Sequence, residues 1–199
     1  MDASTWDDRY ASTELLWSAV PNRFVEAELA DLPPGRAVDL AAGEGRNAIW
    51  LAGQGWEVTA VDFSAVAVEK GRRLAEAVGV ALDWVVADLL EYEPEPGGFD
   101  LVLVAYLHLP AGELDTVLDR AARALVPGGV LLVVGHDAEN LRHGVGGPQD
   151  PAVLHTPEGI AARLPGLRVE RAERVRRPVP DAEREAIDTL VRAYRPPSR

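Results

Sequence analysis

Beyond residue 35 the chain alternates between short apolar runs and longer stretches with helical spacing. The runs are 36–40 (RAVDL), 56–61 (WEVTAV), 82–86 (LDWVV), 99–105 (FDLVLVA) and 130–134 (VLLVV), rich in the Val and Leu of strands. The fourth is nearly all apolar, so burial on both faces is expected. Between them, 47–54 (NAIWLAGQ) has a helical mix that ends at Gly55. Ser64 suits the N-cap of a helix reaching about Val78, with Gly79 as its stop. Leu114, Val117, Leu118, Ala121 and Leu125 share one helical face, and Pro127-Gly128-Gly129 ends that helix. Thr156-Pro157-Glu158 reads as the start of a short helix. Ahead of the alternation, 11–30 is helical in character with a break at Pro21-Asn22, and Leu32-Pro33-Pro34-Gly35 is a hard stop. After Gly166, Val and Ala alternate with Arg and Glu to about Val179, which predicts a strand with one solvated face. The segment 186–194 (AIDTLVRAY) fits helix or strand.

Repeated strand–helix alternation predicts an α/β fold with a doubly wound, mostly parallel sheet. Such sheets bind ligands beyond the carboxyl ends of their strands, near the point where strand order reverses. The residues that follow each strand therefore carry the functional argument.

The first strand runs into Asp39-Leu40-Ala41-Ala42-Gly43-Glu44-Gly45-Arg46-Asn47. Gly43 and Gly45 permit a sharp turn and a close approach of backbone to ligand. Asp62 ends the second strand, 17 residues after Gly45, where a carboxylate accepts hydrogen bonds from two ribose hydroxyls. Phe63 and Ser64 follow it. Asp88, with Leu89 beside it, ends the third strand and suits contact with an adenine amino group and ring. Ala105 and Tyr106 end the fourth.

In order, VDLAAGEGRN, VTAVDFS, VVADLL, FDLVLVAYLHL and LVPGGVLLVVG resemble the motif series of class I S-adenosylmethionine (SAM)-dependent methyltransferases, over about Gly35 to Gly135. The GEGRNA loop and the N-terminal WDDRY further resemble the tellurite-resistance and thiopurine methyltransferase branch. The family usually has a glycine where Ala41 stands. The resemblance implies a Rossmann-like sheet of about seven strands, the last antiparallel. It implies SAM as methyl donor and S-adenosylhomocysteine as product. It assigns Asp39 to loop order and the donor amino group, and Gly43 and Gly45, with Ala41 and Asn47 in the same loop, to the methionine part. Asp62, with Ser64 adjoining it, takes the ribose; Phe63, Asp88 and Leu89 take the adenine; Ala105 and Tyr106 lie near the donor amino group and sulfonium. Trp6, Arg9 and Tyr10 are candidates to fold over the donor. Arg9 or Tyr10, or alternatively Arg46, would meet its carboxylate.

The 199 residues suit one domain: an N-terminal helical lid (1–31), a donor-binding core (35–135) and an acceptor-side loop with C-terminal strands (136–199). The absence of cysteine excludes disulfides, thiolate metal sites and cysteine nucleophiles, and with four His no metal site is expected. There is no apolar run long enough to span a membrane and the N-terminus is acidic, so a cytoplasmic protein without membrane contact is expected. The formal net charge of −12 opposes a nucleic-acid footprint, so a small-molecule acceptor and no nucleic acid are expected. Oligomeric state does not follow.

Methyl transfer from a sulfonium is an in-line displacement in which the protein mainly aligns the reactants. His108 and His136 follow the fourth and fifth strands, where a neutral imidazole suits removal of a proton from a hydroxyl or amine, and Tyr106 lies beside them. His143 and His155 lie in a polar Gly/Pro-rich stretch. The long loop 137–151 is expected to shape the acceptor pocket with His136, Asp137 and Asn140. Two other classes share the glycine loop. A nicotinamide oxidoreductase would need Ala48 to stand for the third glycine of GxGxxG. A non-catalytic SAM-binding domain would bind the donor without turnover.

Overall fold

A computed structural model describes residues 3–13, 15 and 19–197. Seven strands form one sheet: β1 (Arg36–Leu40), β2 (Glu57–Asp62), β3 (Asp83–Val86), β4 (Phe99–Ala105), β5 (Leu125–His136), β6 (Arg168–Arg177) and β7 (Ala186–Tyr194). Their spatial order is β3-β2-β1-β4-β5-β7-β6. β1 to β5 pair in parallel, and β7 runs antiparallel to both neighbours. The segment whose spacing fitted either period is thus a strand. It is wedged between β5 and β6, where a helix would have left the β5 edge unpaired.

The helices are α1 (Ala3–Ala11), α2 (Arg23–Leu29), α3 (Arg46–Gly53), α4 (Ala65–Val78), α5 (Ala111–Ala124), α6 (Asn140–His143) and α7 (Pro157–Ala162). Local chemistry sets their ends. Ser64 Oγ accepts from Ala67 N, and Gly79 at φ 76° closes α4, as the sequence predicts. Thr156 caps α7 ahead of Pro157. The break expected at Pro21-Asn22 is present, and among the described residues of 11–30 only Ala11 and Arg23–Leu29 are helical. Pro21 lacks the N–H a helix requires, and Asn22 starts α2 by accepting from Phe24 N and Val25 N. Residues 14 and 16–18 of that span lie outside the described residues.

Two apolar clusters sandwich the sheet. Val38, Leu40, Val102, Val104, Leu131 and Val133 meet α5 on one face. Ala37, Leu101, Leu103, Leu132 and Leu190 meet α2 and α3 on the other. β4 is buried on both faces from Leu101 onward, in line with its continuous apolar run. Strand order reverses between β1 and β4, so the loop after β1 and Tyr106 after β4 open onto one crevice. Among the described residues no helix is long and apolar enough to cross a membrane.

Candidate active site

The loop after β1 turns through three left-handed residues: Ala41 (φ 66°), Gly43 (φ 57°) and Gly45 (φ 77°). Two of them need glycine for space as well as conformation. A Cβ on Gly43 would lie 2.7 Å from the Tyr10 hydroxyl, and one on Gly45 2.3 Å from the Trp84 ring. Ala41 holds the left-handed conformation with a methyl group, at a cost of about 1–2 kcal/mol. The loop keeps its shape there without the family's usual glycine.

Asp62 fixes this loop. Its Oδ2 accepts from Gly43 N at 2.8 Å and its Oδ1 from Ser64 N at 2.9 Å. Burial pushes its pKa up, partly opposed by those two amides. Asp39, at the end of β1, is the contrasting case. It is fully buried and neither carboxylate oxygen has a hydrogen-bond partner. Burial, reinforced by the Asp62 charge, pushes its pKa up to about 8, while Arg46 and the nearby Ala48 amide, which falls short of hydrogen-bond geometry, oppose the shift. An unpartnered buried carboxyl beside a glycine loop fits a ligand ammonium group.

The N-terminal helix is clasped onto this loop. Lys70 of α4 donates to the carbonyls of Tyr10 and Thr13 and lies 3.4 Å from Glu44 Oε1. Ser64 Oγ donates to Asp7 Oδ1. Tyr10 is buried, Trp6 lies 5.6 Å from it ring to ring, and the Arg9 guanidinium stacks over Trp6 at 4.9 Å. Asn47 is buried behind the loop, where its Oδ1 accepts from Asn22 N at 2.9 Å. At the end of β3, Asp88 is exposed and its Oδ1 accepts from Leu90 N at 2.9 Å; Leu89 is buried and Phe63 is half-buried. Ala105 is buried beneath Tyr106 at the end of β4.

On the far side of the switch point the structure gathers a polar cluster. Tyr106 has φ 59°, a conformation rare for a bulky residue. Its hydroxyl donates to Asp188 Oδ2 at 2.7 Å and accepts from Asn22 Nδ2 at 3.0 Å. Asp188, on β7, is fully buried. It also receives Arg177 Nε at 2.9 Å on Oδ2, while His136 Nδ1 faces its Oδ1 at 3.3 Å, short of good hydrogen-bond alignment. Burial alone would raise Asp188, but His136, Arg177 and Tyr106 outweigh it and hold the carboxyl below its usual range.

Three imidazoles stack here. His108 lies 5.4 Å from His136 and 4.8 Å from His155. The structure gives the three rings different partners. His108 Nδ1 lies 3.0 Å from Val153 O and its Nε2 accepts from His136 N at 3.4 Å, so both nitrogens are spent on backbone. Burial, aided by the neighbouring imidazoles, lowers its pKa to about 3. His155 Nε2 donates to Leu107 O at 2.9 Å. Of the three rings, His136 is the one with a carboxylate against it. Sequence reasoning named His108, His136 and Tyr106 but missed Asp188, Arg177 and Asn22. The first two lie on C-terminal strands without a recognisable motif.

The loop after β5 departs from expectation. Residues 137–155 carry α6, a short 3₁₀ turn (Pro151–Val153) and a bridge between Asp137 and His155. Asp137 is fully buried and accepts from Thr189 Oγ1, Glu139 N and Arg174 Nε. Asn140 Oδ1 accepts from Ile187 N, and its Nδ2 donates to Gly146 O. These two side chains staple the loop to the sheet, so their polar atoms are not left to face an acceptor. His143 sits exposed on α6 beside Glu139. Among the described residues no cluster of His, Asp and Glu could hold a metal ion.

The strand order and the glycine loop at the switch point define a class I methyltransferase fold. Comparison with known proteins agrees. Residues 37–129 match a family model described as a methyltransferase domain. Demethylmenaquinone methyltransferase of Thermus thermophilus is 35% identical over 103 residues, 51% of this chain and 47% of that protein. The tRNA 5-carboxymethoxyuridine methyltransferase of Escherichia coli is 30% identical over 120 residues, 57% of this chain and 45% of that protein. The chain thus spans about half the length of the curated relatives it matches. A protein solved in work on conversion of a disulfide bond into a thioacetal group during echinomycin biosynthesis shares the fold, with a TM-score of 0.77 at 23% identity, covering 98% of this chain and 92% of that one. Over residues 37–129 the chain is thus similar to a methyltransferase domain, on a fold that it shares with solved SAM-dependent methyltransferases.

Two expectations change. The narrower likeness to the tellurite-resistance branch is not singled out: TehB of Haemophilus influenzae shares the fold (TM-score 0.71, 13% identity, 87% of this chain and 62% of that one), while the curated relatives include quinone-pathway enzymes. The exclusion of nucleic acid is overturned by the tRNA methyltransferase among the relatives. Net charge is a whole-chain sum, whereas RNA contact needs only a local cationic patch, and β6 carries Arg168, Arg171, Arg174, Arg176 and Arg177.

Proposed function

We propose that this chain transfers the methyl group of SAM to a hydroxyl or amine of a small-molecule acceptor, with His136 receiving the proton. The observation that carries the donor half is Asp39, a fully buried carboxyl with no well-aligned hydrogen-bond partner, beside the Gly43–Gly45 turn. In this reading Asp39 takes the donor ammonium, the loop amides line the methionine part, and the residues at the ends of β2 and β3 take ribose and adenine. Trp6, Arg9 and Tyr10 cover the donor. When bound, SAM supplies a methyl group already activated on a sulfonium.

The chain's own residues then align and deprotonate the acceptor. Asp188 Oδ1 lies 3.3 Å from His136 Nδ1; in this reading the two align when the acceptor binds, which would place the proton on Nδ1 and leave Nε2 to receive the acceptor's proton. Tyr106 is the bridge between this pair and the donor loop. Its hydroxyl holds Asp188, and the Arg46 guanidinium lies 6.0 Å from its ring. His108, with both nitrogens bonded to backbone, supports His136 by stacking. The small-molecule class is favoured by the demethylmenaquinone that the name of one relative gives as its substrate.

Calorimetric titration with SAM, then with NADH, tests the donor. Binding of SAM alone supports the reading, and binding of NADH alone replaces it with dehydrogenase chemistry. A labelled-methyl screen then compares hydroxylated and aminated small molecules with total tRNA. Label entering tRNA alone would sink the small-molecule reading. Asp62→Ala removes the acceptor for two loop amides and, in this reading, for the ribose, so SAM affinity should fall about tenfold or more. Unchanged affinity would take Asp62 out of the site.

A further inference from the structure

Resting on that reading, we propose that the acceptor is an organic anion, its acidic group held by Arg46 and Arg177 at the ring of Tyr106. The two residues come from distant parts of the chain. Arg46 opens α3 after the glycine loop, and Arg177 ends β6. Their guanidinium carbons lie 6.0 Å and 5.7 Å from the centre of the same ring.

The charge balance of this corner is incomplete. Among the described residues no carboxylate forms an ion pair or hydrogen bond with the Arg46 guanidinium, which is half-buried. Arg177 spends Nε on Asp188, and among the described residues no second carboxylate forms an ion pair with it. Asp188 is itself shared with Tyr106 and His136. Two guanidiniums near one aromatic ring, close enough for Arg177 to disfavour the charge on Arg46, therefore share one hydrogen-bonded carboxylate, Asp188; Asp39 acts on Arg46 only through space, without an ion pair or hydrogen bond. Like charges at close range in a partly desolvated site repel, and a bound anion relieves that. A guanidinium presents its N–H donors in a plane that matches the two oxygens of a carboxylate. The neighbouring His136 would then meet a hydroxyl or amine elsewhere on the same molecule, so the acceptor class becomes a hydroxy or amino acid-bearing compound.

Other parts of the molecule point less far. The depression lined by Leu109, Leu114, Thr156, Ile160 and Arg163 is small and has one cation, already paired with Asp115. The outer arginines Arg171 and Arg174 on β6 are consumed by Glu28, Glu173, Asp137 and Glu158.

The test uses the whole chain saturated with S-adenosylhomocysteine and titrated with benzoate or benzamide, followed by NMR. Benzoate should bind at least about fivefold more tightly than benzamide. Arg177→Gln and Arg46→Gln should each erase that preference, and Arg177→Lys should keep part of it, with near-ultraviolet circular dichroism confirming that each variant is folded. Equal affinities for benzoate and benzamide in the wild type would overturn the proposal. So would variants that weaken SAM binding but spare both decarboxylated SAM and the benzoate preference, since the cations would then serve the donor carboxylate. Should S-adenosylhomocysteine fail to bind, the methyl-transfer reading falls, and titration of the chain alone with the same pair still tests the anion subsite.

Discussion

At the scale of single residues, the site separates histidines that look alike in sequence. His108 and His136 each follow a strand and each face the switch-point crevice, so position alone leaves them equal. Their hydrogen bonds do not. His108 is held by Val153 O and His136 N, whereas His136 faces Asp188. His136→Gln should therefore lower kcat by about a hundredfold or more while SAM affinity stays within threefold. His108→Ala should instead cost about 1 kcal/mol or more of stability by leaving the part-buried Val153 carbonyl without its donor and the His136 amide without its acceptor. Turnover and urea denaturation of both variants check this, and full activity in His136→Gln would return the base to another group. Of the candidate site, the positions of the glycine loop, Asp39, Asp62 and Tyr106 were legible because each lies at or just beyond the end of an apolar run. Asp188 was not. It sits inside 186–194, where helix and strand periods fit equally, and its partners come from β4, β5 and β6. No local spacing encodes such a convergence.

At the scale of elements, caps and stops were the most legible features, since they depend on neighbours in sequence. α4 begins at its Ser64 cap and ends at Gly79 as its residues dictate. The N-terminal span was less so, because its helix depends on long-range clasping. Lys70 gathers the Tyr10 and Thr13 carbonyls and Glu44 into one point. That single side chain couples α1, α4 and the donor loop. Lys70→Ala should speed amide hydrogen exchange in residues 3–13 by about tenfold or more, with exchange in β1, β4 and β5 unchanged. An unchanged rate in 3–13 would mean that the Trp6 and Tyr10 packing and the Asp7–Ser64 bond suffice to hold α1. The stretch 137–155 shows the same limit. It reads as an open loop, yet Asp137, Asn140 and His155 fasten it to β7 and β4, contacts that only the assembled sheet creates.

At the scale of the whole molecule, buried ionisable groups tie stability to pH from two sides. His108 and His155 have pKa values lowered by burial, the former to about 3, so the unfolded chain takes up protons first as pH falls below the ordinary histidine value of 6.5. Stability without donor is then lost on the acid side. Asp39 acts in the opposite direction. Its folded pKa, about 8, lies above the unfolded value of 3.8, so the folded state holds a proton that the unfolded state gives up, and stability falls as pH rises between those values. Asp39→Asn should flatten that loss across pH 4 to 8 in denaturation curves. The same proton reports on function. If Asp39 receives the donor ammonium, it must ionise as SAM binds, and near pH 7 most of a proton is released. Calorimetry of SAM binding in two buffers of different ionisation enthalpy would register that release, and Asp39→Asn would remove it. Identical apparent enthalpies in both buffers for the wild type would mean that Asp39 keeps its proton and that the ammonium is held elsewhere.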